Sequence, residues 1–247
     1  MNTESPNDLG QGFRKYFEIV SAGTEALRDD VYHIRHEVYC EQLKYEPERP
    51  DRRETDQYDT HSQHCLLRTS TEPKKLVGCG RVIFTRADDR SALLPFERSC
   101  ENAIDRTIID PAKLPRATIA EVSRLAVSGM FRRRKGEQQE SIPLNTDEAA
   151  RFPYIPMSLF LGTIAIGDKN GIEKLFLLTE ERLLSHFIKI GFVIKQIGAP
   201  IEHRGLRVPS MIDVKPLIKE MRSLIRPLYR QIATELDHVG GEQPVTL

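Results

Sequence analysis

Residues 118–127 read TIAEVSRLAV, and this stretch constrains the fold more than any other. Ile119, Val122, Leu125 and Val127 give it the apolar content of a strand inside a sheet, yet Glu121, Ser123 and Arg124 are set among them. A charge withdrawn from water is costly unless it is paired or put to use. A sheet containing this strand must therefore hold partners for its charges, and ionisable groups in such a place are candidates for a functional site.

The flanking segments supply a mixed α/β order. A polar start, residues 1–12, reads as disordered. Residues 16–20 (YFEIV) form a short strand closed by the turn SAG. Thr24 is placed to cap a helix over residues 25–43, where Leu27, Val31, Ile34 and Val38 recur on one helical face. Residues 45–62 carry prolines and alternating charges without apolar period, which predicts a long surface loop of the kind that often carries function. Strands follow at 64–68 and 76–85, where Gly78 and Gly80 indicate a bulge or a close backbone approach. Residues 93–109 read as a short helix and connector.

Beyond the central strand, residues 137–152 read as a polar, mobile insertion. Residues 157–168 (MSLFLGTIAIGD) are apolar nearly all round, as in a buried helix. A strand at 173–178, a helix at 180–189, strands at 192–197 and 211–214 and a C-terminal amphipathic helix kinked at Pro227 complete the order. The domain is expected to span residues 13–214, with a C-terminal helix and tail over 215–247. The fold class is α/β (α+β): one mixed central sheet flanked by helices.

Composition narrows the function. With 36 basic and 36 acidic residues in 247, the formal net charge is zero, which argues against a general nucleic-acid binder. No apolar run is long enough to span a bilayer. The polar first residues lack the pattern of a secretory signal, so a cytoplasmic location is expected. Cys40, Cys65, Cys79 and Cys100 lie in apolar segments without close pairing and read as reduced, buried thiols. The seven histidines show neither metal-ligand spacing nor a Ser-His-Asp or Cys-His order, so neither a metal site nor a covalent acyl-enzyme is expected.

Four motifs stand in order in the first half. Arg35, Val38 and Tyr39 give R-x-x-V-Y, followed by the aromatic Tyr45; Glu54, Asp56 and Asp59 give E-x-D-x-x-D; Gly78 and Arg81 give G-x-x-R; and Glu121, Ser123 and Arg124 give E-x-S-R. In these the chain resembles the acyl-homoserine-lactone autoinducer synthases and N-acyl amino acid synthases, and most closely the acyltransferases associated with PEP-CTERM/exosortase systems, all of the GNAT fold. Tyr45 stands where that family often has Trp. The run Arg132, Arg133, Arg134, Lys135 and Gly136 has the R-x-x-G core of a pyrophosphate-cradling loop but lacks its second small residue, and the 137–152 segment is additional.

The resemblance implies a GNAT-like domain that moves a fatty acyl chain from a thioester to an amine. The donor would be the acyl-phosphopantetheine of an acyl carrier protein, or acyl-CoA, with no permanently bound cofactor. That chemistry needs a neutral amine and a polarised carbonyl. Glu121 is the candidate base, its carboxyl raised by burial and opposed by Arg124. Ser123 is placed to hydrogen-bond the thioester, though a strand serine more often bonds backbone. The plain alternative for Glu121 is an ion pair with Arg124 or Arg81 that only closes the core.

Asp56 and Asp59 could position the amine and Arg35 or Arg81 an acceptor carboxylate, with Tyr39 and Tyr45 beside them. A salt-bridge network that pins the long loop is an equal reading of the same residues. The basic run at 132–136 suits a CoA phosphate or the acidic surface of a carrier protein, or is simply a solvated loop. The cations Lys215, Lys219, Arg222, Arg226 and Arg230 read mainly as the wet face of the last helix. Residues 157–166, with Phe160, would either line an acyl pocket or be plain core. Two alternatives remain: a lactone-forming synthase using S-adenosylmethionine, and a non-catalytic module that binds acyl thioesters.

Overall fold

The computed structural model describes residues 9–89, 91–132 and 154–238. Seven α-helices are described: α1 (Leu9–Tyr16), α2 (Glu25–Arg35), α3 (Pro95–Ser99), α4 (Ile155–Lys169), α5 (Glu181–Lys189), α6 (Val214–Glu220) and α7 (Arg226–His238). The strands are β1 (Phe17–Ser21), β2 (Ser62–Thr69), β3 (Leu76–Phe84), β4 (Ile119–Val127), β5 (Lys174–Glu180), β6 (Lys195–Gln196), β7 (Ile201–Glu202) and β8 (Leu206–Asp213). They form one sheet in the order β1-β2-β3-β4-β5-β8-β6, with β7 beside β8. All neighbours are antiparallel except β4 and β5.

The period of two along each strand divides the core. Leu66 and Cys79 face Val31, Ile34 and Val38 of the α2 segment, whereas Cys65 and Leu67 of the same strand join the cluster that contains α4. Nearly all of α4, from Ile155 to Gly167, is buried. Phe160 stacks on Phe187 of α5 with ring centroids 4.2 Å apart. Each such aromatic or aliphatic side chain stabilises the fold by about 1.5–3 kcal/mol through apolar burial. Residues 157–166 are therefore core.

Four elements depart from the sequence expectations. Residues 9–12 belong to helix α1, because Leu9, Phe13 and Tyr16 recur at helical spacing and pack into the main core. The helix over 25–43 changes character midway: α2 ends at Arg35 and continues as a π-helical segment, His36–Gln42, in which Leu43 N–H reaches back to Val38 O. The C-terminal helix is broken rather than kinked. Pro227 lies in the first turn of α7, where its missing N–H costs nothing, and Arg226 donates to the carbonyls of Lys219 and Met221 at the end of α6. The strand at 192–197 shortens to Lys195–Gln196.

The site is positioned by the middle of the sheet. β4 and β5 pair in parallel only from Ile119↔Lys174 to Val122↔Leu177. Beyond Val122, β5 stays with β8 while β4 stays with β3, and a cleft opens between them. At that point β4 bulges: Arg124 and Leu125 stand opposite the single residue Gly80, and Arg124 takes a φ of 52°. A positive φ is uncommon for a non-glycine residue and is held here by the surrounding contacts.

Candidate active site

The cleft encloses about 870 Å³. Its walls include Tyr39, Tyr45, Asp56, Arg81, Glu121, Ser123, Arg124 and Arg132 among the residues singled out from sequence. Apolar Leu125, Leu177, Leu183 and Phe187 also line it, whereas α4 contributes nothing to the lining. Arg133, Arg134, Lys135 and Gly136, and the segment 137–152, lie outside the described residues.

Arg35, Glu54, Asp56, Asp59, Arg81 and Arg124 come together as one charge network, three cations against three anions. Arg35, fully buried, donates from Nε to Glu54 Oε2 at 2.5 Å and from Nη1 to Asp59 Oδ1 at 2.6 Å. Arg81 Nη1 donates to Asp56 Oδ1 and to Asp59 Oδ1, each at 2.7 Å. Arg124 reaches Glu54 and Asp56 and lies over the ring of Tyr39, 5.3 Å from its centroid. Asp56 and Asp59 also close a capping box on the short 3-10 turn Gln57–His61, so the acidic motif fixes its own loop. The network pins residues 44–62 to the sheet.

The two acids buried deepest in this network, Glu54 and Asp59, are held ionised. Burial pushes the Glu54 carboxyl up, but Arg35 and Arg124 overcome it and leave it lowered to about 2. Burial likewise opposes Asp59, and hydrogen bonds from His64 and Arg35 hold it well below the usual carboxylate range. Arg35 and Asp59 are absent from the cleft lining, so their work is done behind it. Asp56, Arg81 and Arg124 are the members that reach the open side.

Glu121 behaves differently. It stands in register between Ile83 of β3 and Phe176 of β5, beneath Phe96, which stacks on Phe176 with centroids 4.3 Å apart. Among the described residues it has no ion pair; its Oε2 accepts the backbone N–H of Phe96 at 2.7 Å. Burial raises its carboxyl to about 7, only partly countered by the Phe96 N–H, Arg81 and Arg124, while Glu97 adds to the rise. The core-closing ion pair with Arg81 or Arg124 does not form, because those arginines are taken by Glu54, Asp56 and Asp59. Ser123 Oγ accepts from Arg81 Nε at 3.0 Å, which leaves its own O–H free to donate. Tyr39 Oη donates to Leu125 O at 3.1 Å, and Tyr45 N–H donates to Tyr39 O.

Sequence reasoning missed the far wall. His203, Arg204 and Arg207 from the β7–β8 hairpin, and Arg182 and His186 from α5, also line the cleft. Arg204 forms an ion pair with Glu46, which also accepts from Arg124 at 3.5 Å, so the hairpin tip is tied to the network. The only signal in the sequence was the HRG turn at 203–205, where Arg204 and Gly205 take positive φ. The four cysteines are free and buried, and burial raises the thiols of Cys65 and Cys79 to about 12, which removes them as nucleophiles.

Residues 34–140 match the family model described as acetyltransferase (GNAT) domain, and they lie within the single mixed sheet flanked by helices. Among solved structures, the CoA-dependent acyl-homoserine lactone synthase BjaI, with SAM and isopentyl-CoA, is 19% identical with a TM-score of 0.57, covering 87% of this chain and 89% of its own. TofI, in a ternary complex with an inhibitor and MTA, is 19% identical with a TM-score of 0.58, covering 85% of this chain and 96% of its own. FeeM, an N-acyl amino acid synthase from uncultured soil microbes, is 15% identical with a TM-score of 0.53, covering 83% of this chain and 95% of its own. At these identities the likeness is one of fold. No curated protein matches the chain in sequence. Among the described residues no helix is long and apolar enough to cross a membrane.

Proposed function

We propose that the protein is an N-acyltransferase that moves a fatty acyl chain from an acyl carrier protein or CoA thioester to the amine of an amino acid or similar small molecule. The observation that carries this reading is Glu121: a carboxyl in the cleft, raised to about 7, without an ion pair among the described residues despite the neighbouring arginines. A base whose pKa lies near the working pH is best suited to remove a proton from an ammonium group. Glu121 takes that proton directly or through a water. The freed amine attacks the thioester carbonyl, the C–N bond forms, the C–S bond breaks, and the thiol departs with a proton.

The other residues have separate work. Ser123, oriented by Arg81, donates to the thioester. Asp56 and Arg124 meet the polar part of the acceptor, with Tyr39 and Tyr45 beside them. Leu125, Leu177, Leu183 and Phe187 give the acyl chain an apolar wall. Arg132, at the cleft, begins the basic run that would meet the donor's phosphate or an acidic carrier surface. Arg35 and Asp59 hold the loop. A link to PEP-CTERM/exosortase systems is what the sequence resemblance implies.

A lactone-forming synthase using S-adenosylmethionine would share Arg35, Asp56, Asp59 and Glu121; of the structures of similar fold, BjaI is described as an acyl-homoserine lactone synthase and was determined with SAM, and TofI was determined with MTA. Incubation with a panel of carrier-protein and CoA thioesters, plus amino acids or S-adenosylmethionine, read by mass spectrometry, separates the readings. N-acyl amino acids support the proposal and a lactone the second reading. Tight thioester binding without product would mark a non-catalytic module.

A further inference from the structure

Glu121 is fixed by a helix that is itself held by an ion pair outside the four motifs. Phe96, whose N–H donates to Glu121, belongs to α3, a helix of five residues. So short a helix does not hold its position by its own hydrogen bonds. Its anchor is Glu97. This buried carboxylate receives Arg116 in a two-pronged contact, Nη1 to Oε1 at 2.9 Å and Nη2 to Oε2 at 2.8 Å, and its Oε2 also accepts the N–H of Leu94 at 2.7 Å. Arg116 Nη2 donates further to Ala92 O at 2.8 Å. Arg116 lies in the 3-10 turn Arg116–Thr118 that leads directly into β4, the strand that carries Glu121. One end of the clamp is thus on the helix that supplies the N–H, and the other on the strand that supplies the carboxylate.

We propose that the Glu97–Arg116 pair is a positioning device for Glu121, setting α3 against β4 so that Phe96 N–H holds Oε2 while Oε1 is left to take the acceptor's proton. The inference rests on the reading of Glu121 as the base. No described residue donates to Oε1, and Glu121 lines the cleft. A carboxylate held at one oxygen cannot rotate freely, so its other oxygen presents lone pairs in a fixed direction. Neither Glu97 nor Arg116 lines the cleft, so both act through Glu121.

The charged and titratable groups facing Glu121 are Arg81 from β3, Arg124 from β4, and Glu97 and Cys100 from α3 and its end. Two substitutions in the clamp therefore move the Glu121 titration in opposite directions. Arg116→Ala leaves the Glu97 carboxylate uncompensated and loosens the Phe96 N–H, both of which raise Glu121. Glu97→Gln keeps the size and can still accept from Arg116 and the Leu94 N–H, so it removes a neighbouring negative charge with the clamp in place and lowers Glu121. Each shift should be about half a unit or more.

The titration of Glu121 is read by carbon NMR of the side-chain carboxyl in full-length protein labelled at glutamate, assigned with Glu121→Gln. The same variants are then assayed for kcat and KM across pH. The expected result is an upward shift for Arg116→Ala and a downward shift for Glu97→Gln. kcat should fall about tenfold in Arg116→Ala with the thioester KM little changed, and Arg116→Lys should restore part of the loss. Shifts in the same direction, or no shift with kcat retained, would overturn the inference. If Arg116→Ala does not fold, Arg116→Lys decides: a lowered kcat with the thioester KM little changed supports the inference, and a fully retained kcat overturns it. If no acyl transfer is found in the wild type, the NMR arms still test the clamp, and the failure belongs to the proposed function.

Discussion

Arg35 Nε donates to Glu54 Oε2 at 2.5 Å, with both side chains out of contact with solvent. Removing one member of a buried ion pair leaves an uncompensated charge, which costs about 3–5 kcal/mol. Arg35→Met is therefore expected to lower the unfolding free energy by about that amount, read as a lower denaturant midpoint, and to loosen residues 44–62. Acyl transfer should fall with it, although Arg35 does not line the cleft.

The same network sets an acid limit. Glu54, lowered to about 2, and Asp59, lowered further, are carboxylates with native values below their unfolded ones. Their stabilisation is complete above the unfolded value, about 4, and is lost as pH falls through the native values. The urea midpoint should accordingly decline from about pH 5 downward, and Glu54→Gln should flatten that decline while lowering the midpoint at neutral pH.

At Gly78 a Cβ would stand 2.5 Å from Ala126 O on β4 and 2.8 Å from Leu159 Cδ1 on α4. The carbonyl cannot yield without breaking the β3–β4 ladder. Gly78→Ala is expected to destabilise by about 1–3 kcal/mol, measured by thermal or chemical unfolding, without shifting the pH dependence of any activity.

Much of this was legible in the residues. Glu121 and Arg124 among apolar neighbours marked β4 as the strand that carries the candidate site, and the run at 157–168, apolar nearly all round, marked the helix behind it. Gly78 and Gly80 were legible as a bulge or close approach, but not as to what approaches: Gly78 meets its own sheet and helix, and the bulge itself is on β4 opposite Gly80. Other features were not legible, because they depend on pairing across the fold. Nothing local separates Arg35, which is sealed behind the cleft, from Arg124, which opens onto it. The division depends on where β4 leaves β5. The roles of Glu97, Arg116 and Arg204 depend on contacts 19 residues apart or more. The break at residues 221–225 reads from sequence as one helix kinked at Pro227 because Leu217, Met221, Leu224 and Leu228 keep a helical apolar spacing across it, but Leu224 is exposed and the helix stops between them.

Glu121, raised to about 7, also predicts the pH dependence of acyl transfer. The base is the ionised form, so kcat/KM should fall as pH drops through about 7 and level off above it. Glu121→Asp, which withdraws the carboxyl by one methylene, should retain a similar limb at a much lower rate.

The most direct test is the rate at which Glu121→Gln forms N-acyl product from an acyl thioester and an amine acceptor used by the wild type, followed by mass spectrometry near pH 8. Gln keeps the size and can still accept the Phe96 N–H, but it cannot take a proton. A loss of about 10²–10⁴ in rate with an unchanged melting temperature is the predicted result. Turnover close to that of the wild type would contradict the assignment of Glu121 as the base.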